Sequence, residues 1–200
     1  KLGGREGFRE LMKSIDSKGG KCLVFNNYNI LDQNTDWYKS ELNKYKQLDG
    51  HGQQNIWMGW GESTLMARKQ LNVRYHVRSS VTPEIEKILS DQFLVRDGAH
   101  AFQIDKVCVG GALDFNPLNT MKPDVALCEG LVQAIGRLYD QCLEIDPDFR
   151  MASEFGVDRL IPYFDVGYRN AWGLDISTFR YVFPEWTSCM HVSNPRDFRG

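Results

Sequence analysis

Ala101-Phe-Gln-Ile-Asp-Lys-Val107 is a short apolar run with a single carboxylate, Asp105, near its C-terminal end. Strand alternation sends Phe102 and Ile104 to one face and Gln103 and Asp105 to the other. Gly110-Gly111 then ends the run. A buried strand that finishes on a charge and opens into a glycine loop fits an inner strand of a parallel β/α sheet. In such sheets function gathers at the C-terminal strand ends. Two later stretches repeat the pattern and predict further strands: Arg150-Met-Ala-Ser-Glu154, and Phe179-Arg-Tyr-Val-Phe-Pro-Glu185, each closing on a carboxylate.

Working outward, Phe8, Leu11, Met12 and Ile15 predict a helix over 5–17, stopped by Gly19-Gly20. Cys22–Phe25 reads as a buried strand that empties into Asn26-Asn-Tyr-Asn29. Residues 36–48 predict a helical excursion, and 50–61 an irregular segment carrying Trp57 and Trp60. Leu71–Val77 alternates as a strand would. Thr82-Pro83-Glu84 opens a second helix, with Thr as cap and Pro at the first position. The clearest helix runs from Pro123 to Glu144. There Val125, Cys128, Leu131, Val132, Ile135, Leu138, Tyr139 and Cys142 recur at three and four residues. Loops are long after strands and short after helices, which favours a (β/α)8 TIM-type barrel over an open doubly wound sheet. We count about four or five β/α units where a full barrel needs eight and ~250 residues. The expectation is therefore one domain over 1–200, an incomplete portion of such a barrel.

Composition narrows the function classes. The 200 residues are 42% hydrophobic and 25% charged, with a net charge of −2. That balance gives no electrostatic case for nucleic acid or an anionic membrane. No apolar run approaches the length of a membrane span. The expected compartment is aqueous, either cytoplasmic or secreted/periplasmic. Five cysteines, an odd number without a C-x-x-C pair, read as scattered buried thiols rather than a disulfide framework or zinc site. The four histidines show no ligand spacing. Nucleophile-elbow, zinc-protease, P-loop and dinucleotide motifs are all missing. No cofactor is expected.

What is left is carboxylates and aromatic rings. Asp105, Glu154 and Glu185, carried on nearby strands, can meet in one mouth. Two carboxylates are what glycoside cleavage requires: one ionised to attack or stabilise the anomeric carbon, the other protonated to release the leaving oxygen. Structural alternatives stand beside this: a loop cap for Asp105, a salt bridge to Arg159 or Arg150 for Glu154, an exposed loop acid for Glu185. The tryptophans Trp57, Trp60, Trp172 and Trp186 follow strands, where a sugar platform competes with core packing.

Residues 97–186 also resemble the barrel of α-galactosidase-like (melibiase-type) retaining glycoside hydrolases and their uncharacterised bacterial relatives. The resemblance rests on Phe102-Gln-Ile-Asp-Lys106 in the place of the fourth strand and Lys122-Pro-Asp124 opening the next helix. It extends to Ser153-Glu-Phe-Gly-Val-Asp-Arg159 at the fifth strand and Phe183-Pro-Glu-Trp186 at the sixth. It implies an α-linked sugar cleaved with retention, Asp105 as nucleophile and Glu185 as acid/base, with Glu154 the alternative acid. Asn26, Asn27, Arg159, Trp57, Trp60 and Trp186 would then contact the carbohydrate. Pro-Glu-Trp departs from the family's usual Trp-Ser-Asp context, and Asp158-Arg159 reverses its usual order. Two rival readings remain open. One is an enolase-type barrel holding Mg²⁺ on Asp105, Glu154 and Glu185. The other is a non-catalytic carbohydrate-binding or scaffold barrel. Either way an open barrel exposes strand edges, so the rest of a larger chain or a homo-oligomer is the expected partner.

Overall fold

The computed structural model describes residues 3–26, 30–32, 34–54, 56–57, 72–74, 96–105, 113–153, 158–169, 181–185 and 187–190. Its centre is a five-stranded parallel sheet. The strands are β1 (Leu23–Asn26), β5 (Ala101–Ile104), β6 (Arg150–Ser153), β7 (Val166–Arg169) and β8 (Thr187–Met190), hydrogen-bonded in that order. Within this sheet the spatial order of the strands follows their chain order, with no reversal. A doubly wound sheet would show a switch point, and the described strands show none. A second, three-stranded antiparallel sheet lies in the chain between β1 and β5. It orders β2 (Ile30–Asp32), β4 (Asn72–Arg74) and β3 (Ile56–Trp57).

Three α-helices are described: α1 (Gly4–Asp16), α2 (Asp36–Ser40) and α3 (Ala126–Ile145). Helix α3 buries Leu131, Ala134, Ile135, Leu138 and Cys142 against Phe102, Ile104, Phe149 and Met151. That apolar stripe is the reason it is a helix and the reason it sits where it does. Phe102 and Phe149 meet edge to face at 5.3 Å, at the level where the strand enters the core. Helix α2 starts on Thr35, whose side chain accepts the Tyr38 N–H.

The expected helix at 5–17 and the long helix are found within a few residues of their predicted ends. The excursion at 36–48 resolves into α2 and a short 3₁₀ turn, Leu42–Tyr45. Three expectations change. The stretch predicted as a strand over 179–185 is helical at Tyr181–Val182 and a turn at Pro184–Glu185, and the strand starts only at Thr187. Pro184 has no N–H to give a central ladder, so the run cannot pair as written. The strand beside β6 is instead Val166–Arg169, which carries Gly167 and no apolar run. The alternating stretch 71–77 contributes β4 to the small antiparallel sheet rather than to the parallel one. The helix expected from Thr82 lies outside the described residues. No helix among the described residues is long and apolar enough to cross a membrane.

Below β5, Asp97 is buried and accepts from Arg5 Nε at 3.0 Å and Arg9 Nε at 2.8 Å, both through Oδ1. Helix α1 is thereby fixed to the chain just before the central strand. Burial alone would raise the carboxyl's pKa. The hydrogen bonds and charges of the two arginines outweigh it and hold Asp97 below its ordinary value. His100 Nδ1 accepts the Cys22 N–H at 3.2 Å, and its Nε2 lies 3.2 Å from Asp16 Oδ1. His100 thus joins α1 to the starts of β1 and β5.

Candidate active site

Parallel strands bring the ends of β1, β5 and β6 together. Asn26, Ile104 and Ser153 pair in one row across them. Asp105 stands one residue past that row, 8% exposed, and its N–H donates to the Asn26 carbonyl at 2.7 Å. That bond carries the ladder one step beyond the strand and fixes the backbone beneath the carboxylate. Alternation works as the sequence indicates. Phe102 and Ile104 lie in the core beside α3, while Gln103, buried but outside that core cluster, takes the other face with Asp105.

The loop that follows β5 is held by a buried polar network. Asp114 Oδ1 accepts from Leu48 N–H at 3.1 Å and Asn116 N–H at 3.0 Å. Asn116 Nδ2 donates to the carbonyls of Lys44 at 2.9 Å and Lys46 at 2.8 Å, and its Oδ1 accepts from Leu118 N–H at 2.9 Å. Gln47 Nε2 donates to the Leu113 carbonyl at 2.8 Å. Asp114, Asn116 and Gln47 are all almost fully buried. Residues 113–118 are therefore tied to residues 44–48 of the excursion after β1. Asp114 and Asn116 follow Gly110-Gly111 in the sequence. An Asp-x-Asn step in a loop is a turn-forming signal, but its partners lie about seventy residues away, so spacing could not reveal them.

The remaining predicted residues fall in different places. Asn26 is half-buried. It pairs in register with Ile104, so its side chain is on the helix-facing side of the pleat, and Nδ2 reaches the Val24 carbonyl at 3.4 Å. Asn26 and Asp105 are therefore neighbours through the backbone and not through their side chains. Arg159 is exposed and forms a two-pronged pair with Glu129 in the first turn of α3, with Nη2 3.0 Å from Oε2. The hydrogen bond from Arg159 lowers the Glu129 pKa. Asp165 pairs with Arg150 at 3.7 Å and accepts the Met151 N–H at 3.1 Å. Trp57 lies in β3 of the antiparallel sheet. Glu154, Asn27, Trp60 and Trp186 lie outside the described residues.

Glu185 is the correction that matters. It is exposed and sits two residues before Thr187. Register links Thr187 to Val166, Val166 to Ala152 and Ala152 to Gln103. Glu185 thus lies before β8, where that strand enters the parallel sheet, while Asp105 follows the end of β5. A carboxylate pair that cleaves a glycoside is ~5–9.5 Å apart. Glu185 precedes its strand where the sequence reading has it end one, so it does not stand at a strand end as Asp105 does. Among the described residues no group of three His, Cys, Asp or Glu side chains could hold a metal ion.

No protein-family model and no curated protein matches the chain. Solved structures do. A cycloisomaltooligosaccharide glucanotransferase of Paenibacillus sp. superposes with a TM-score of 0.65 at 9% identity, covering 93% of this chain and 28% of that one. An alpha-N-acetylgalactosaminidase of Bifidobacterium bifidum gives 0.64 at 11% identity, covering 83% and 24%. An alpha-galactosidase of Thermus thermophilus gives 0.58 at 12% identity, covering 92% and 36%. The chain spans about a third or less of the length of these enzymes. At such identities the likeness is one of fold: a parallel α/β sheet with helices, of the kind found in glycoside hydrolases.

Proposed function

We propose that the chain is part of a (β/α)8 TIM-type barrel and belongs to a glycoside hydrolase that cleaves an α-linked sugar with retention. The observation that carries this is the buried Asp105 carboxylate at the C-terminal end of a central parallel strand, its backbone tied to β1 and the following loop held by the Asp114–Asn116 network. The fold likeness to sugar-active enzymes supports it. Asp105 attacks the anomeric carbon and forms a glycosyl-enzyme. The acid/base role passes to Glu154, which follows Ser153 directly in the sequence, because Ser153 pairs with Ile104 and Glu185 precedes its strand. Asn27, Trp57, Trp60 and Trp186 remain the candidates for hydroxyl and ring contacts, and Arg159 is available only by leaving Glu129.

The test is turnover of p-nitrophenyl α-D-galactoside and α-D-glucoside by the full chain, followed by chemical rescue. Asp105→Ala loses about 10³-fold or more of kcat. Azide then restores release and leaves a β-glycosyl azide, because it attacks the face that Asp105 used. No turnover by the unaltered chain, or azide without effect on Asp105→Ala, would overturn the assignment. A non-catalytic carbohydrate binder is the outcome if sugar binds equally to the unaltered chain and to Asp105→Asn and neither turns it over.

A further inference from the structure

A cleft lies at the other end of β5 from Asp105. It holds about 580 Å³ between helix α1, residues 96–100 and the end of α3. Ala99 and His100 line it just before β5 begins, whereas Asp105 follows the strand. In β/α barrels the chemistry gathers at the C-terminal strand ends, so this volume is separate from the candidate active site. Its size is that of a small-ligand site. Helix α1 turns Glu6, Arg9, Lys13 and Asp16 into it, at the three- and four-residue spacing of one helical face. Most of these charges are answered within the protein. Arg9 is 2.8 Å from Asp97 and 3.6 Å from Glu6. Asp16 meets His100 at 3.2 Å and Lys21 at 3.8 Å. Two cations are left over. Lys13 on α1 and Arg96 before β5 line the same cleft, and neither has a hydrogen bond or ion pair. Like charges turned into one cavity repel, and an anion between them removes the cost.

We propose that this cleft binds a small phosphomonoester, with the phosphate between Lys13 and Arg96 and the carbon skeleton against Met12 and Ile145. A phosphate dianion matches two unanswered cations, and guanidinium and ammonium groups are the side chains that hold it. Ile145 is 42% exposed at the end of α3, which gives the organic part an apolar wall. The two cations stand on elements already fixed together, because Asp97 takes both Arg5 and Arg9 of α1. A ligand that joins Lys13 to Arg96 ties the same two elements again and stabilises the folded chain by binding it alone. Asp146 also lines the cleft. Its Oδ1 accepts the Asp148 N–H at 3.0 Å and it has no cation beside it, so its charge opposes the anion.

The experiment is calorimetry and thermal melting of the full chain with inorganic phosphate and with α-D-glucose 1-phosphate. Sodium chloride at equal ionic strength and D-glucose are the controls. Both phosphates are expected to bind saturably and to raise the melting temperature, the ester more tightly. Lys13→Gln and Arg96→Gln each weaken both by about tenfold, and the double variant binds neither. Both side chains are exposed and unbonded, so these variants melt with the unliganded parent. Asp146→Asn tightens phosphate binding, a gain that a purely structural acid would not give. Ile145→Ser weakens the ester and leaves inorganic phosphate unchanged. Asp105→Asn alters neither affinity, because the cleft is at the opposite end of the strand from that carboxylate. A melting shift that sodium chloride reproduces, or binding that survives the double variant, would overturn the site. Inorganic phosphate bound as tightly as the ester would overturn the phosphomonoester, and ester binding lost in Asp105→Asn would place the ligand in the candidate active site instead.

Discussion

Asn116 gives the sharpest test of how the loop after β5 is held. Its side chain is 4% exposed and makes three hydrogen bonds: two donated to the Lys44 and Lys46 carbonyls and one accepted from the Leu118 N–H. Asn116→Ala leaves all three backbone groups without this partner, and each unpaired buried group costs ~1–3 kcal/mol. Lys44 is exposed and Lys46 half-buried, so water recovers part of the loss, and the net cost is about 2–3 kcal/mol. Asn116→Asp is nearly the same shape but replaces both donors with an acceptor facing two carbonyl oxygens. At neutral pH it should cost at least ~1 kcal/mol more than the alanine, because a carboxylate is then buried against like partial charges. The introduced carboxyl's folded pKa must rise, since only the protonated form can donate. The penalty is therefore smallest below the unfolded value of ~3.9 and grows as pH rises through the folded pKa. Urea unfolding followed by tryptophan fluorescence at pH 4.5 and pH 8 measures all of this. If Asn116→Ala lies within ~0.5 kcal/mol of the parent, or Asn116→Asp is no worse than alanine at pH 8, the network is not what holds the loop.

Asp97→Asn should lower stability at pH 7 by about 1–2 kcal/mol by weakening the two arginine contacts that fix α1. Because the folded pKa of Asp97 is depressed, its contribution is present above the unfolded value and is lost as pH falls through the folded one. The gap between parent and variant should close below about pH 3.9 in a series of melting curves, and a gap constant with pH would contradict the pairing. Gly136→Val should destabilise by about 1–3 kcal/mol, since a Cβ there already comes within 3.0 Å of Tyr163 Oη and 3.1 Å of its Cζ. Denaturant midpoints equal to the parent's would show that Tyr163 can move away. Gln103→Met should be neutral or stabilising by up to about 1 kcal/mol, because the buried Gln103 Nε2, which has no hydrogen-bond partner, is removed and a side chain of similar volume takes its place.

Much of the architecture was legible from local pattern. Helix α3 announced itself through apolar residues at three and four, because one buried stripe against a sheet is a property of sequence spacing. Strand β5 was legible as a buried run, and its two faces followed from alternation alone. That was enough to place Asp105 at a strand end and to set Gln103 beside it on one face. Strand β7 was not legible. Val166-Gly-Tyr-Arg169 carries no apolar run, and its place beside β6 comes from ladder bonds to residues that the sequence does not mark. The same limit moved Glu185. A carboxylate after an apolar run looks like a strand ending, but Pro184 cannot join a ladder, and pairing starts at Thr187 instead. One slipped strand boundary carries a side chain from the end of a strand to the turn before it. Which residues share a face is therefore local, fixed by backbone geometry within a few residues. Which faces meet, and at which end, is set by hydrogen-bond register between strands and by contacts such as Asn116 to Lys44 across seventy residues. Only the folded chain brings those partners within bonding distance.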